Sequence, residues 1–154
     1  MSNLNTGSKR TDALMRTAGG IQYMTFAEIK HHNTDLLVAK EYRPACWSPS
    51  AELDGGVVQI QQTVYKATRE IGERLDDLAE DGSRTGEATY LHRPRSYLII
   101  GNLGQLRGVA GGVHEDKNRS FEIYRRNLYE PEVLTFDEVL ARAEWQVALA
   151  ARDT

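Results

Sequence analysis

The stretch at residues 21–30, IQYMTFAEIK, decides the fold that we predict for this chain. We interpret it as one β-strand that ends in Glu28, Ile29 and Lys30. Side chains two residues apart on a strand lie on the same face, so Glu28 and Lys30 are predicted to project together. A carboxylate can hold a hard divalent cation, and a neighbouring ammonium group can orient a metal-bound water beside an anionic substrate. The stretch therefore predicts both a strand and a candidate metal site.

The segment before this strand offers a second carboxylate. Residues 12–17 are predicted to form a strand, and Gly19 and Gly20 supply the turn that folds it back against residues 21–30. The resulting hairpin brings Asp12 towards the end of the second strand. Asp12 is therefore the candidate partner of Glu28.

Composition limits the class of protein. The 154 residues are 40% hydrophobic and 27% charged, which favours one domain with a substantial core. The net charge of −3 does not by itself indicate a nucleic-acid binder, although charge can be segregated by face. The single cysteine, Cys46, excludes an internal disulfide and a Cys-rich zinc site and fits a reducing compartment. With neither a long apolar run nor a signal-peptide pattern, we expect a cytoplasmic protein that does not bind membranes.

The first half of the chain is predicted to contain a lead-in, the hairpin, a loop and a helix. Residues 1–11 are expected to be a flexible lead-in, and residues 12–152 a single domain. Residues 31–54 are predicted to form a long irregular loop. Apolar residues at spacings of three, four and seven predict a core helix over residues 54–80, with Gln59 on a different face from the apolar stripe. Residues 81–86, DGSRTG, are interpreted as a turn-rich linker.

The second half predicts two more strands and two more helices. The apolar run at residues 96–100, SYLII, is typical of a buried central strand. We predict a glycine-rich loop at 101–112, a helix over 116–128 and a short strand at 132–134. Thr135 and Glu138 have the spacing of a capping box at the start of a last helix. The order β-β-α-β-α-β-α implies an α/β fold with a mixed central sheet flanked by helices.

The arrangement of Asp12 followed by Glu28-x-Lys30 is typical of metal-dependent nucleases. Two carboxylates on adjacent strands bring Mg²⁺ to the scissile phosphate, and the lysine stabilises the transition state or positions the water. An acid followed two residues later by lysine is common, however, and occurs again at Glu115-Asp116-Lys117. From the pattern alone, a surface salt bridge at a strand end is the favoured interpretation.

Two other functions are open at this point. An HNH-like nuclease built on His31, His32 and Asn33 lacks a second histidine at the required spacing. A catalytically silent nucleic-acid-binding or regulatory module with the same fold would use the strand-end acids only in salt bridges.

Four longer stretches carry a family resemblance: FAEIKHHNTDLL, EYRPACWSPSAELDGGVVQIQQTVYKA, RPRSYLIIGNL and FEIYRRNLYEPEVLTFDEVLARA. Together they resemble the Shedu family of bacterial anti-phage defence nucleases, a branch of the PD-(D/E)XK superfamily. The resemblance extends over about residues 12–143. It implies a restriction-endonuclease-like PD-(D/E)XK core.

The resemblance also implies roles for individual residues. By position, Asp12 and Glu28 become metal ligands, and the backbone carbonyl of Ile29 a further ligand. Lys30 becomes the catalytic lysine. Gln59 matches the glutamine that such nucleases place beside the metal from the following helix.

The implied activity is Mg²⁺-dependent hydrolysis of phosphodiester bonds in DNA by an endonuclease, in defence against phage, with Mn²⁺ as a possible substitute. DNA is then the partner, and the resemblance suggests a homo-oligomer, a tetramer. The chain departs from the superfamily pattern in two ways. Thr11 replaces the proline before the aspartate, and no acid precedes Asp12. The second departure predicts either a truncated domain or a site that needs one ligand fewer.

Overall fold

The structure, a computed structural model, describes residues 12–152. The predicted lead-in at 1–11 lies outside the described residues. The strands are β1 (Ala13–Arg16), β2 (Gln22–Ile29), β3 (Arg74–Leu78), β4 (Arg84–Ile99) and β5 (Glu132–Leu134), and the helices are α1 (Ala51–Ile71), α2 (Glu115–Arg126) and α3 (Phe136–Ala150). A short 3-10 helix covers Leu103–Leu106. Within residues 12–152, every helix is too short or too polar to cross a membrane.

The strands form one mixed sheet in the order β1-β2-β4-β3, with β5 also paired to β4. β1 and β2 form the predicted antiparallel hairpin, with Ala13 opposite Ala27. β2 and β4 are parallel, as are β4 and β5. Nη1 of Arg16 on β1 lies 2.7 Å from Oδ2 of Asp77 on β3, although these are the outer strands of the order. The sheet must therefore be curled, and the α/β fold with a mixed sheet and flanking helices is confirmed.

The predicted helix over residues 54–80 is wrong in its last part. α1 ends at Ile71, and Gly72, at φ 76°, caps it by donating its N–H to the carbonyl of Thr68. Leu75 and Leu78, which we assigned to the helix, lie in β3. Leu75 and Leu78 continue the apolar spacing of a helix, but Gly72, whose φ is positive, ends the helix before them.

The turn predicted at residues 81–86 is present, but it is the turn of a hairpin between β3 and β4, and residues 84–86 already belong to β4. The first half of β4 pairs with β3. β4 consequently has 16 residues and begins well before the strand predicted at 96–100. The observed order gains one strand over the predicted order. The remaining elements agree closely with prediction: α2, β5 and the capping box of Thr135 and Glu138 at α3.

The core lies on one face of the sheet. Met24 and Phe26 of β2 pack with Ile60 of α1 in one hydrophobic cluster. Leu98 of β4 packs with Phe121 of α2 in a second cluster. Because side chains alternate along β2, Glu28 projects from the same face as Met24 and Phe26. The carboxylate therefore lies at the end of β2 under α1.

Candidate metal centre

Glu28 is the most buried acid at the end of β2, with 3% of its surface exposed. It lies beside Leu98 in the parallel pairing of β2 and β4, which fixes its backbone. Its Oε1 atom is 3.0 Å from Nζ of Lys30. Its Oε2 atom is buried and has no hydrogen-bond partner among the described residues. A buried carboxylate oxygen without a partner is costly, so this position favours an additional cation or donor.

Lys30 and Gln59 complete a connected group around Glu28. The backbone N–H of Lys30 donates to the carbonyl of Ile99 at 2.8 Å, which holds the residue at the sheet end. Nζ of Lys30 donates to Oε1 of Gln59 at 3.1 Å, in addition to its contact with Glu28. The side chain of Lys30 is 22% exposed, so its ammonium group lies between the core and solvent. The structure thus brings together three of the residues that the sequence singled out.

Asp12 lies on the neighbouring strand end and is exposed. The pairing of Ala13 with Ala27, continued by one residue, places Asp12 opposite Glu28. Oδ2 of Asp12 accepts a hydrogen bond from the backbone N–H of Ile29 at 2.9 Å. This is the one hydrogen bond of the carboxylate to residues 12–152. One oxygen of Asp12 therefore braces the hairpin, and its Oδ1 atom has no hydrogen bond to residues 12–152.

The donor chemistry of this group fits Mg²⁺. Mg²⁺ prefers oxygen ligands and is commonly bound through one or two carboxylates, with water and substrate phosphates in its other positions. Glu28 and Asp12 supply two carboxylates, and the unpartnered Oε2 atom of Glu28 is the strongest sign of an additional ligand. The described residues contain no group of three or more His, Cys, Asp or Glu side chains that could hold a metal.

The second acid-x-Lys pattern has a different setting. Glu115 and Asp116 form the first turn of α2, and Asp116 pairs with Arg119 one turn later. Lys117 lies over the ring of Trp47, with its Nζ atom 5.8 Å from the ring centroid. These side chains belong to a helix start, where acids interact favourably with the helix dipole. The two patterns therefore differ in context: Glu28 and Lys30 lie at a strand end, whereas Glu115 and Lys117 lie at a helix start.

The histidine pair lies just beyond Lys30 and is exposed. The rings of His31 and His32 are 4.2 Å apart between centroids. Nδ1 of His31 accepts a hydrogen bond from the backbone N–H of Asn33 at 3.1 Å, so the neutral ring carries its proton on Nε2. The contact between His31 and Asn33, two residues of the HNH-like alternative, is a local turn.

A separate ion-pair cluster joins α2 to the start of α3. Nη1 of Arg125 is 2.7 Å from Oε2 of Glu138, and the same oxygen accepts from the backbone N–H of Thr135 at 3.0 Å. Burial raises the pKa of Glu138, but hydrogen bonds from Arg125 and Thr135 and the charge of Arg125 outweigh burial and lower the pKa to about 2. The cluster thus stabilises the fold near α3 as an ion pair.

Sequence reasoning missed Gly56, which faces the site from α1. A Cβ atom at this position would lie 3.5 Å from Cε of Lys30 and closer still to Leu98. The available signal was the Gly55-Gly56 pair inside a helical pattern, since glycine costs helix stability and its presence in a helix can indicate close packing.

Comparisons with known proteins agree with the resemblance of the sequence to the Shedu family. The model of the family described as "Shedu protein SduA, C-terminal" matches residues 1–140 of the chain. A curated relative, Shedu protein SduA of Bacillus cereus (strain B4264), is 30% identical over 124 residues, which cover 79% of this chain. The aligned part is 30% of the relative, so the chain spans under a third of its length. The matching family model extends over nearly the whole chain, and we conclude that the chain belongs to the Shedu family.

Proposed function

We propose that this chain is a Mg²⁺-dependent DNA endonuclease domain with a PD-(D/E)XK core that acts in the cytoplasm in defence against phage. One observation carries the proposal. The buried carboxylate of Glu28 has one oxygen paired with Lys30 and the other oxygen without a hydrogen-bond partner among residues 12–152, while a second carboxylate, Asp12, lies on the adjacent strand end. Membership of the Shedu family supports the nuclease assignment and the role in defence.

Glu28 and Asp12 each offer one oxygen atom that has no hydrogen bond to residues 12–152. Glu28 would hold the ion through Oε2 and Asp12 through its Oδ1 atom, with the carbonyl of Ile29 as a backbone ligand. When bound there, Mg²⁺, or Mn²⁺ in its place, supplies positive charge against the phosphate and lowers the pKa of the attacking water. The phosphate and this water would take other positions around the ion.

Lys30 acts on the same phosphate through its ammonium group. Its partial exposure lets Nζ reach a phosphate oxygen, where it stabilises the charge that develops in the transition state or positions the water. Gln59 is a positioning residue, because its Oε1 atom accepts from Nζ and limits the rotamers of a flexible side chain. Glu28 contacts the same ammonium group at 3.0 Å. The two contacts fix where the positive charge lies.

DNA is the proposed substrate, and the assembly is proposed to be a homo-oligomer, a tetramer by family resemblance. The net charge of −3 requires that DNA is attracted locally rather than by the whole chain. Mg²⁺ and Lys30 supply such a local positive charge. Light scattering measures the assembly directly, and a monomer at micromolar concentration would contradict the tetramer.

Cleavage of supercoiled plasmid tests the activity. The wild type is expected to cut with Mg²⁺ and to stop cutting in EDTA. Glu28→Gln and Lys30→Met are each expected to lose about 10³-fold in rate, since each removes several kcal/mol of charge stabilisation. Glu144→Gln, at an exposed position on α3, is the matched control and should cut like the wild type.

The outcomes separate the alternatives. Equal cutting by the wild type and both site variants would contradict the assignment of the site. A wild type that shifts DNA in a gel without cutting it would instead support the silent binding module.

A further inference from the structure

Gly56 lies where α1 comes closest to β4. A Cβ atom built on this residue would be 3.0 Å and 3.1 Å from the two methyl carbons of Leu98, and 3.5 Å from Cε of Lys30. Carbon atoms in contact prefer separations of about 3.5–4.0 Å, so the first two distances are too short. The missing side chain is therefore what allows the helix to lie this near to the strand.

The neighbours of Gly56 have little room to move. Leu98 is fully buried and packs with Val57 and Phe121 in one hydrophobic cluster. Leu98 also lies beside Glu28 in the pairing of β4 with β2. Interiors are closely packed, so an added methyl group is relieved by a shift of the backbone or of several side chains. A shift of the backbone would move α1 against the two strand ends that carry the site.

Gln59 follows Gly56 by three residues, so both residues lie on neighbouring positions of one helix face. Outward movement of α1 would take Oε1 of Gln59 away from Nζ of Lys30, which is now 3.1 Å distant. The stem of Lys30 runs past Gly56, as the distance to its Cε atom shows. The same small gap thus accommodates the lysine stem and sets the position of its hydrogen-bond acceptor.

We propose that Gly56 is a positioning residue: its lack of a side chain sets the distance of α1 from β2 and β4 at which Nζ of Lys30 is held between Glu28 and Gln59. The role of Gly56 in setting the distance of α1 from β2 and β4 is supported by packing alone. Its effect on the rate of DNA cleavage rests on the proposed function.

The test compares Gly56→Ala with Gly55→Ala. The two variants add the same methyl group to the same helix, but a Cβ atom at Gly55 meets nothing within 4 Å. Crystal structures of the two variants measure the distance from Nζ of Lys30 to Oε1 of Gln59. We expect the contact to be lost in Gly56→Ala and retained in Gly55→Ala.

Kinetics supply a second measurement. In Gly56→Ala, we expect kcat to fall about tenfold while KM for DNA stays the same, because a misplacement of about 1 Å costs up to about 100-fold and the shift here is smaller. Gly55→Ala should retain the wild-type kcat. The double variant Gly56→Ala/Leu98→Val removes the clashing methyl positions and should recover much of the rate.

Gln59→Asn covers the case in which Gly56→Ala fails to fold. It shortens the acceptor by one methylene without touching the core, and it should lower kcat without changing KM. An unchanged Lys30–Gln59 distance in Gly56→Ala, or a wild-type kcat in Gln59→Asn, would overturn the inference. A wild type that does not cleave DNA would refute the proposed function, whereas the crystallographic comparison would still decide the role of Gly56.

Discussion

Replacement of Lys30 by methionine tests whether the buried carboxylate depends on its ammonium partner. The side chain of Glu28 is only 4% exposed and lies 3.0 Å from Nζ of Lys30. At an effective dielectric constant of about 20, the attraction between unit charges at this distance is about 5 kcal/mol before desolvation is subtracted. Removal of one partner from a buried pair typically costs about 3–5 kcal/mol. Since Lys30 is 22% exposed, we expect Lys30→Met to lower the free energy of unfolding by about 2–3 kcal/mol.

Urea denaturation at neutral pH in EDTA measures this loss. Lys66→Met, at an exposed lysine of α1 without an ion pair to residues 12–152, is the matched control and should cost less than about 0.5 kcal/mol. The double variant Lys30→Met/Glu28→Gln should recover most of the loss, because it leaves no unpaired charge in the core. A loss below about 1 kcal/mol in Lys30→Met would refute the reasoning, since exposed ion pairs contribute up to about that much.

Two further predictions concern other carboxylates. Asp12→Asn should leave the free energy of unfolding within about 0.5 kcal/mol of wild type, because the amide oxygen still accepts from the N–H of Ile29, but should weaken Mn²⁺ binding at least about tenfold in calorimetry. Unchanged Mn²⁺ affinity would remove Asp12 from the ligand set. Glu138 has a folded pKa of about 2 against a usual value of 4.5, so its pairing with Arg125 stabilises the fold above about pH 4.5 and loses that effect as the pH falls towards 2. Glu138→Gln should therefore show a shallower fall in stability across this range in urea titrations at several pH values, and an identical fall would contradict the assigned ion pair.

The parts of the fold that depend on local signals were predictable. The β1–β2 hairpin follows from alternation and from two glycines, and the start of α3 follows from the spacing of Thr135 and Glu138. β3 was missed because the leucine spacing of a helix continues past Gly72, although that glycine ends the helix. The first half of β4 gave little local signal, since its pairing with β3 and not its own composition makes it a strand.

In the candidate site, too, local spacing predicts some features, whereas others depend on contacts between distant residues. Glu28 and Lys30 lie two residues apart on one strand, so alternation alone predicts their shared face. The contact of Gln59 with Lys30 joins residues 29 positions apart, and family resemblance rather than periodicity pointed to it. The role of Gly56 depends on how closely a helix packs on Leu98, and sequence spacing contains no such distance.

The parallel pairing of β2 with β4 has a consequence for how the chain folds. Glu28 and its neighbour Leu98 are 70 residues apart, whereas the hairpins β1–β2 and β3–β4 each join residues close in sequence. Closing a long loop is entropically costly before any contact rewards it, so non-local pairings form slowly. The hairpins can therefore form early, while the position of the Glu28 carboxylate is set only when the two halves of the sheet meet. A chain that stalls before this step would retain much of its secondary structure and lack the candidate metal centre.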